Sequence, residues 1–235
     1  GYTLKMIPSE KYPLFRFVKF NFKLLRRILT VAFPMMLQNF ISLSGWFVFF
    51  VFVESMGERP LAISNIIRSI YVVLMIPIWG FASATNTLVS NLIGQNKKHE
   101  VIPVTVKIVK MCFTAVVFVV SLSLIFPRQV LSLYTENQNL IQDTIPVYYV
   151  VAGAAVFFSI AFILFSAVSG TGKTVHSLII EIAVIFFYLT CTYCIVYVLD
   201  YSIEFVWSVE YFYAFVLGII SMFYLRKGNW KYGNI

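Results

Sequence analysis

Long apolar stretches separated by short polar ones set the pattern of this chain. Residues 28–53, 69–95, 111–127 and 144–172 carry no Asp, Glu, Lys or Arg. Two further runs, 175–199 and 205–225, are each interrupted by a single acid, Glu181 and Glu210. A helix needs about 20 apolar residues, at about 1.5 Å each, to cross a hydrocarbon core of about 30 Å. Lipid offers no partner to an open backbone group, so each run is expected to be helical. Extending the second run back to Pro60 and the third to Pro103 predicts spans at 28–53, 60–94, 103–127, 144–170, 175–199 and 205–225. The expected fold is all-α and integral to the membrane. A six-transmembrane-helix bundle over 28–226 lies between a segment 1–27 and a tail 227–235.

Composition supports this reading. Of 235 residues, 60% are apolar and 12% charged, against about 25% charged in soluble domains. So few charges cannot cover a soluble globule, which excludes a cytosolic enzyme, a secreted disulfide scaffold and a disordered tail. Cys112, Cys191 and Cys194 are odd in number and lie in apolar runs, so neither a disulfide framework nor a metal site is expected. No cofactor is expected either. Gly1 at the start suggests a piece of something longer, and the polar, basic opening is unlike a cleavable signal sequence.

The net charge of +8 is one-sided. Lys5, Lys11, Arg16, Lys19, Lys23, Arg26 and Arg27 precede the first span. Lys97, Lys98, Lys107 and Lys110 flank the second connection, Lys173 the fourth, and Arg226, Lys227 and Lys231 follow the last span. The opposite side holds Arg59 and Arg128 among acids such as Glu54, Glu58, Glu136 and Asp143. The positive-inside rule places both termini in the cytoplasm of a cell membrane, and nucleic acid is not an expected partner. Within 12–27, Arg16, Lys19, Lys23 and Arg26 recur at helical spacing. This segment reads either as an amphipathic helix on the headgroups or as a basic linker.

Polar groups inside the membrane are costly and so carry functional information. Thr30, Gln38, Ser42 and Gly45, with Pro34, form a stripe on the first span. It suits either a helix interface or a water-filled cavity. In the second span, Asn65, Arg68 and Ser69 lie in the outer third. Pro77 and Gly80 are expected to interrupt the helix before a small-residue stripe of Ser83, Thr87, Ser90 and Gly94. Arg68 facing lipid would cost about 2.5–3.5 kcal/mol, so it should face a cavity or a carboxylate. Glu210 is the candidate ion-pair partner and Glu54 another. Glu181, with Ser177 and Tyr188 on its face, is a structural glutamate or a proton or cation site. Gln38, Ser42, Asn65 and Arg68 are the candidate cavity and substrate residues.

Three apparent motifs are discounted. Gly170 to Thr174 (GTGKT) lacks the earlier glycine of a phosphate-binding loop, Ala167 standing in its place, and follows a helix instead of a strand. Cys191 and Cys194 share a membrane span without the βαβ setting of a redox pair. His176 sits at the membrane surface without evident ligand partners.

Phe33-Pro34, Met56-Gly57 with Leu61-Ala62, the run TLVSNLIGQNKK over 87–98, Leu133-Tyr134-Thr135-Glu136, and Ser169 to Thr174 (SGTGKT) occur in an order and spacing that resembles the C-terminal half of the multidrug and toxic compound extrusion (MATE) transporters. In the last motif, serine and lysine replace the family's usual arginine and acidic residue. The resemblance covers roughly 24–226. It implies that this chain is one lobe of a twelve-helix, two-lobe protein, with an N-terminal six-helix lobe as partner. A central cavity would exchange small organic, often cationic, substrates for H⁺ or Na⁺ by alternating access. Some members carry a coupling acid on the first and fourth helices of this half. Here Ser42 and Phe158 stand in those places, so coupling falls to the other lobe or to Glu181.

The expected activity is therefore secondary active antiport. A lipid-linked oligosaccharide flippase of the same superfamily is an alternative, although this lobe offers only Arg68 as an intramembrane base. A non-transporting membrane scaffold is another. No cluster of His, Asp and Ser suggests an enzyme.

Overall fold

The computed structural model describes residues 21–228 and Trp230. Most of the expected cytoplasmic segment 1–27, and residues 229 and 231–235 of the expected tail, lie outside the described residues. Among the described residues, those up to Thr30 belong to one compact unit and those from Val31 onward to a second. Within the first, Asn21 Oδ1 accepts the Leu24 N–H at 3.1 Å and caps the opening turn of a helix. The second unit holds the bundle.

The helices are α1 (Phe22–Ser55), α2 (Glu58–Gly94), α3 (Val101–Ile125), α4 (Pro127–Ser132), α5 (Gln138–Gly170), α6 (Thr174–Tyr193) and α7 (Ile203–Lys227). A 3₁₀ turn, Lys98–Glu100, precedes α3, and a π turn, Cys194–Val198, extends α6. All but α4 are long and apolar enough to cross a membrane, α3 and α6 when counted with their flanking turns. The six expected spans are all present, and the protein is a multi-pass membrane protein. The helices outrun the uncharged runs at several ends. α1 begins at Phe22, inside the segment 1–27 expected to hold either an amphipathic helix or a basic linker, and α5 begins at Gln138, six residues before its expected start. Charged and polar residues at the interface continue a helix that hydropathy alone would stop.

One expectation fails outright. α2 runs unbroken through Pro77 and Gly80, as α1 does through Pro34 and α5 through Pro146. A single proline removes one ladder bond but leaves the bonds on either side, and lipid penalises opening any of them.

The turns follow local chemistry. Gly57 (φ 111°) and Gly172 (φ 79°) take up the left-handed backbone at the α1–α2 and α5–α6 turns, a region open to glycine without a Cβ penalty. Asn137 Oδ1 accepts the N–H groups of Asn139 and Leu140 at the start of α5. Arg59 pairs with Asp143 across the same end of the bundle.

α5 is the central rod and packs on α2, α3, α6 and α7. Its buried face carries Ala152, Ala155, Ser159, Ala161 and Ala167, and such small residues let backbones approach closely. Gly170 is the tightest case: a Cβ there would lie 2.9 Å from the Asn86 carbonyl oxygen of α2. Ser90 Oγ donates to the Gly170 carbonyl at 3.0 Å. The GTGKT segment is thus a close-packed turn. Trp207, fully buried, donates its indole N–H to Ser64 Oγ at 2.9 Å and ties α7 to α2.

α1 meets the bundle differently. Its contacts run through large side chains: Phe49 stacks on Tyr188 and meets the edge of Trp207, and Trp46 lies against Tyr71. Long aromatic side chains hold a helix at a distance, and between them a space remains.

Candidate functional site: a carboxylate-bearing aromatic cavity

That space is a cavity of about 530 Å³ enclosed by α1, α2, α5, α6 and α7. α1 contributes Gln38, Asn39, Ser42 and Trp46, one face of the polar stripe. Tyr71, Met75 and Trp79 come from α2, and Phe158, Phe162 and Phe165 from α5. Tyr188 of α6 with Glu210 and Tyr213 of α7 complete the inner wall. Positions 38 to 46 lie about 12 Å apart along a helix, so the cavity is a tall, ring-lined cleft.

Glu210 is the one residue of carboxylate, ammonium, guanidinium or imidazole type in this lining, among the described residues. It is 4% exposed. Tyr188 OH donates to its Oε1 at 2.9 Å and Tyr71 OH to its Oε2 at 3.2 Å. Two hydroxyls held by packed rings fix both carboxylate oxygens without supplying positive charge. The phenol of Tyr213, one helical turn from Glu210, points instead to the second acid.

Glu181 is fully buried behind the cavity wall. Its Oε1 accepts from Tyr213 OH at 3.0 Å and is hydrogen-bonded to Ser42 Oγ. Its Oε2 is buried with no hydrogen-bond partner among the described residues. Ser42 Oγ also lies 3.1 Å from the Gln38 carbonyl oxygen. Since a hydroxyl has one proton, Ser42 donates to only one of these acceptors at a time. The only salt bridges among the described residues are Arg59–Asp143 and the His99–Glu100 contact. Neither buried glutamate is therefore neutralised by a base within 4 Å.

The candidates from sequence divide cleanly. Gln38 and Ser42 line the cavity, with Gln38 Oε1 buried and unsatisfied. Asn65 and Arg68 do not: both are exposed on α2 and absent from the lining. The expected Arg68–Glu210 ion pair is not formed. The Arg68 guanidinium stands over the Phe50 ring, 5.1 Å from its centre, one turn past Trp46, while Glu210 takes its bonds from tyrosines. Tyr71, three residues further along α2, is buried against Glu210, while Arg68 is exposed. Glu54 is not paired with Arg68 either.

Of the rings, the sequence singled out only Tyr188, on the face of Glu181; the other tyrosines and the tryptophans were not candidates. In an apolar helix they look like lipid-facing or packing residues, and the available hint was spacing: Tyr188 lies two turns from Glu181, and Tyr213 one turn from Glu210. Ser42 and Phe158, the places where the resemblance expects acids, do meet at this cavity. The carboxylate reaching Ser42 comes from α6.

The described residues thus form a bundle of six membrane-length helices with an aromatic-lined cavity inside it. The MatE family model matches residues 34–194, and the chain belongs to that family. No curated protein matches it. Solved structures with the same fold include a multidrug resistance MATE family transporter of the MOP superfamily in an outward-facing conformation, at TM-score 0.81 and 21% identity, covering 91% of this chain and 48% of that one. The MATE transporter VcmN of Vibrio cholerae, in its bent form, aligns at TM-score 0.80 and 15% identity, covering 88% and 48%. A MOP superfamily transporter from Pyrococcus furiosus, for which reversed polarity of the binding pocket suggests a different function, aligns at TM-score 0.76 and 13% identity, covering 85% and 44%. This chain spans about half the length of the structures it matches.

Proposed function

We propose that this chain is the C-terminal lobe of a secondary antiporter that exports organic cations in exchange for H⁺ or Na⁺. The observation that carries the reading is the cavity of about 530 Å³, ringed by aromatic faces, in which Glu210 is the only charged-type lining residue among the described residues. Aromatic faces attract cations through their quadrupole, and a carboxylate in a partly dry site adds a directional charge. Glu181 serves as the coupling acid. One of its oxygens is held by Ser42 and Tyr213, and the other is free to take a proton or a sodium ion. Occupation of Glu181 by the ion weakens the field felt by a bound organic cation and favours its release.

Alternating access requires a second lobe that rocks against this one about the central site. We assign that role to an N-terminal six-helix lobe. The one-sided distribution of basic residues supports termini in the cytoplasm and a cell-membrane location. A lipid-linked oligosaccharide flippase fits less well, because its anionic cargo would meet Glu210, whereas Arg68 lies outside the cavity.

The test uses vesicles containing the complete protein, loaded with a fluorescent cationic dye, under an imposed H⁺ or Na⁺ gradient. Gradient-driven dye movement that is lost in Glu181→Gln, with dye binding retained, supports the assignment. Movement that ignores both gradients overturns antiport.

A further inference from the structure

A second recess lies away from the cavity and shares no residue with it. It is a groove of about 250 Å³ between the first turns of α6 and the last turns of α7. Ile179, Ile180, Ile220 and Phe223 form its walls, and His176 and Lys227 belong to the same groove. Ile179 and Phe223 are 58% and 61% exposed. The two basic side chains are fastened by their ring contacts: Lys227 Nζ sits 5.0 Å from the centre of the Phe223 ring, and the His176 ring lies 5.4 Å from that of Tyr224. Among the described residues, no acidic side chain lines the groove.

The placement of these groups matters. His176 is in the first turn of α6 and Lys227 is the last residue of α7, so both stand where the helices leave the apolar layer. Ile220 lies about 10 Å further along α7, at a depth where only hydrocarbon surrounds the bundle. Lys173 precedes α6, and the partial positive charge of a helix N-terminus adds to the same end. The Lys227 ammonium and the hydrogen-bonding imidazole of His176 at headgroup level, continuous with an apolar trough below, complement a lipid that carries a negative phosphate above an acyl chain.

We propose that this groove is a binding site for an anionic phospholipid. The phosphate is held between His176 and Lys227, and the upper part of one acyl chain lies along Ile179, Ile220 and Phe223. A zwitterionic lipid fills the trough but brings its own cation to the basic end and is held less tightly.

Native mass spectrometry of the complete protein in detergent, titrated with phosphatidylglycerol or phosphatidylcholine, tests the site. Phosphatidylglycerol should be retained preferentially. Lys227→Ala should reduce that preference about fivefold, the effect of one basic residue near an anionic headgroup, while Lys227→Arg should keep it. Lys107→Ala with Lys110→Ala, on α3 outside the groove, should leave it unchanged. Ile220→Trp, which fills the trough at constant charge, should lower retention of both lipids. Equal retention of the two lipids by the unaltered protein overturns the proposal, as does an equal loss in the α3 variant. Complete displacement of phosphatidylglycerol by millimolar inorganic phosphate would show an anion site without a lipid requirement, and overturns it too.

Discussion

Replacing Glu210 with glutamine separates its charge from its place in the fold. The side chain is almost fully buried, and its oxygens accept from Tyr188 at 2.9 Å and Tyr71 at 3.2 Å. Glutamine keeps one acceptor oxygen, and either tyrosine hydroxyl can turn to accept from the new amide. Leucine would strand both hydroxyls. Side-chain hydrogen bonds within membranes average about 0.6 kcal/mol and reach about 1.7, so Glu210→Leu should cost roughly 1–3 kcal/mol of stability and Glu210→Gln much less. Ligand affinity should behave otherwise. A cation about 5 Å from the carboxylate, at an effective dielectric of about 20, gains roughly 3 kcal/mol before desolvation. If half of that survives, Glu210→Gln weakens binding of a monocation by about tenfold. The assay is a fluorescence titration of the complete protein with ethidium, alongside an uncharged aromatic of similar size. Unchanged ethidium affinity in Glu210→Gln would refute the assignment of the cavity to cations. So would an equal loss for the uncharged ligand, because the effect would then be one of shape.

Other outcomes follow from the packing. Arg68→Ala should leave ethidium affinity within about twofold, as expected for an exposed site outside the cavity, and should cost about 0.5–1 kcal/mol through the lost contact with Phe50. A tenfold affinity change in the same titration would return Arg68 to the binding site. Gly170→Leu should destabilise by about 1–3 kcal/mol, because its Cβ would press on the Asn86 carbonyl. Gly80→Ala, with nothing within 4 Å of the new Cβ, should be neutral or stabilising by up to about 1 kcal/mol. Thermal unfolding in detergent distinguishes the pair, and equal midpoints would contradict the close α5–α2 contact.

The spans and the class of protein were legible in the residues themselves. Hydrocarbon tolerates only closed backbone hydrogen bonding, so an apolar run of membrane length has one structural outcome, and six such runs, two of them holding a single acid, could be counted without coordinates. The stripe of Gln38, Ser42 and Gly45 was legible for a related reason. Helical period places these residues on one face, and the energetic cost of polar groups in lipid turns that face inward. What neighbouring side chains meet across the bundle was not written in any local pattern. Arg68 and Glu210 have suitable charge and depth for a pair, yet Glu210 bonds Tyr71 and Tyr188 and Arg68 stands over Phe50. Glu181 was visible as a lone acid, but its bonds to Ser42 and Tyr213 join positions distant in sequence. α1 meets the bundle through side chains, whereas α5 packs closely on its neighbours at alanine and glycine positions, and the cavity lies between. That difference in interhelical spacing is a property of the packed bundle, and no single helix carries it.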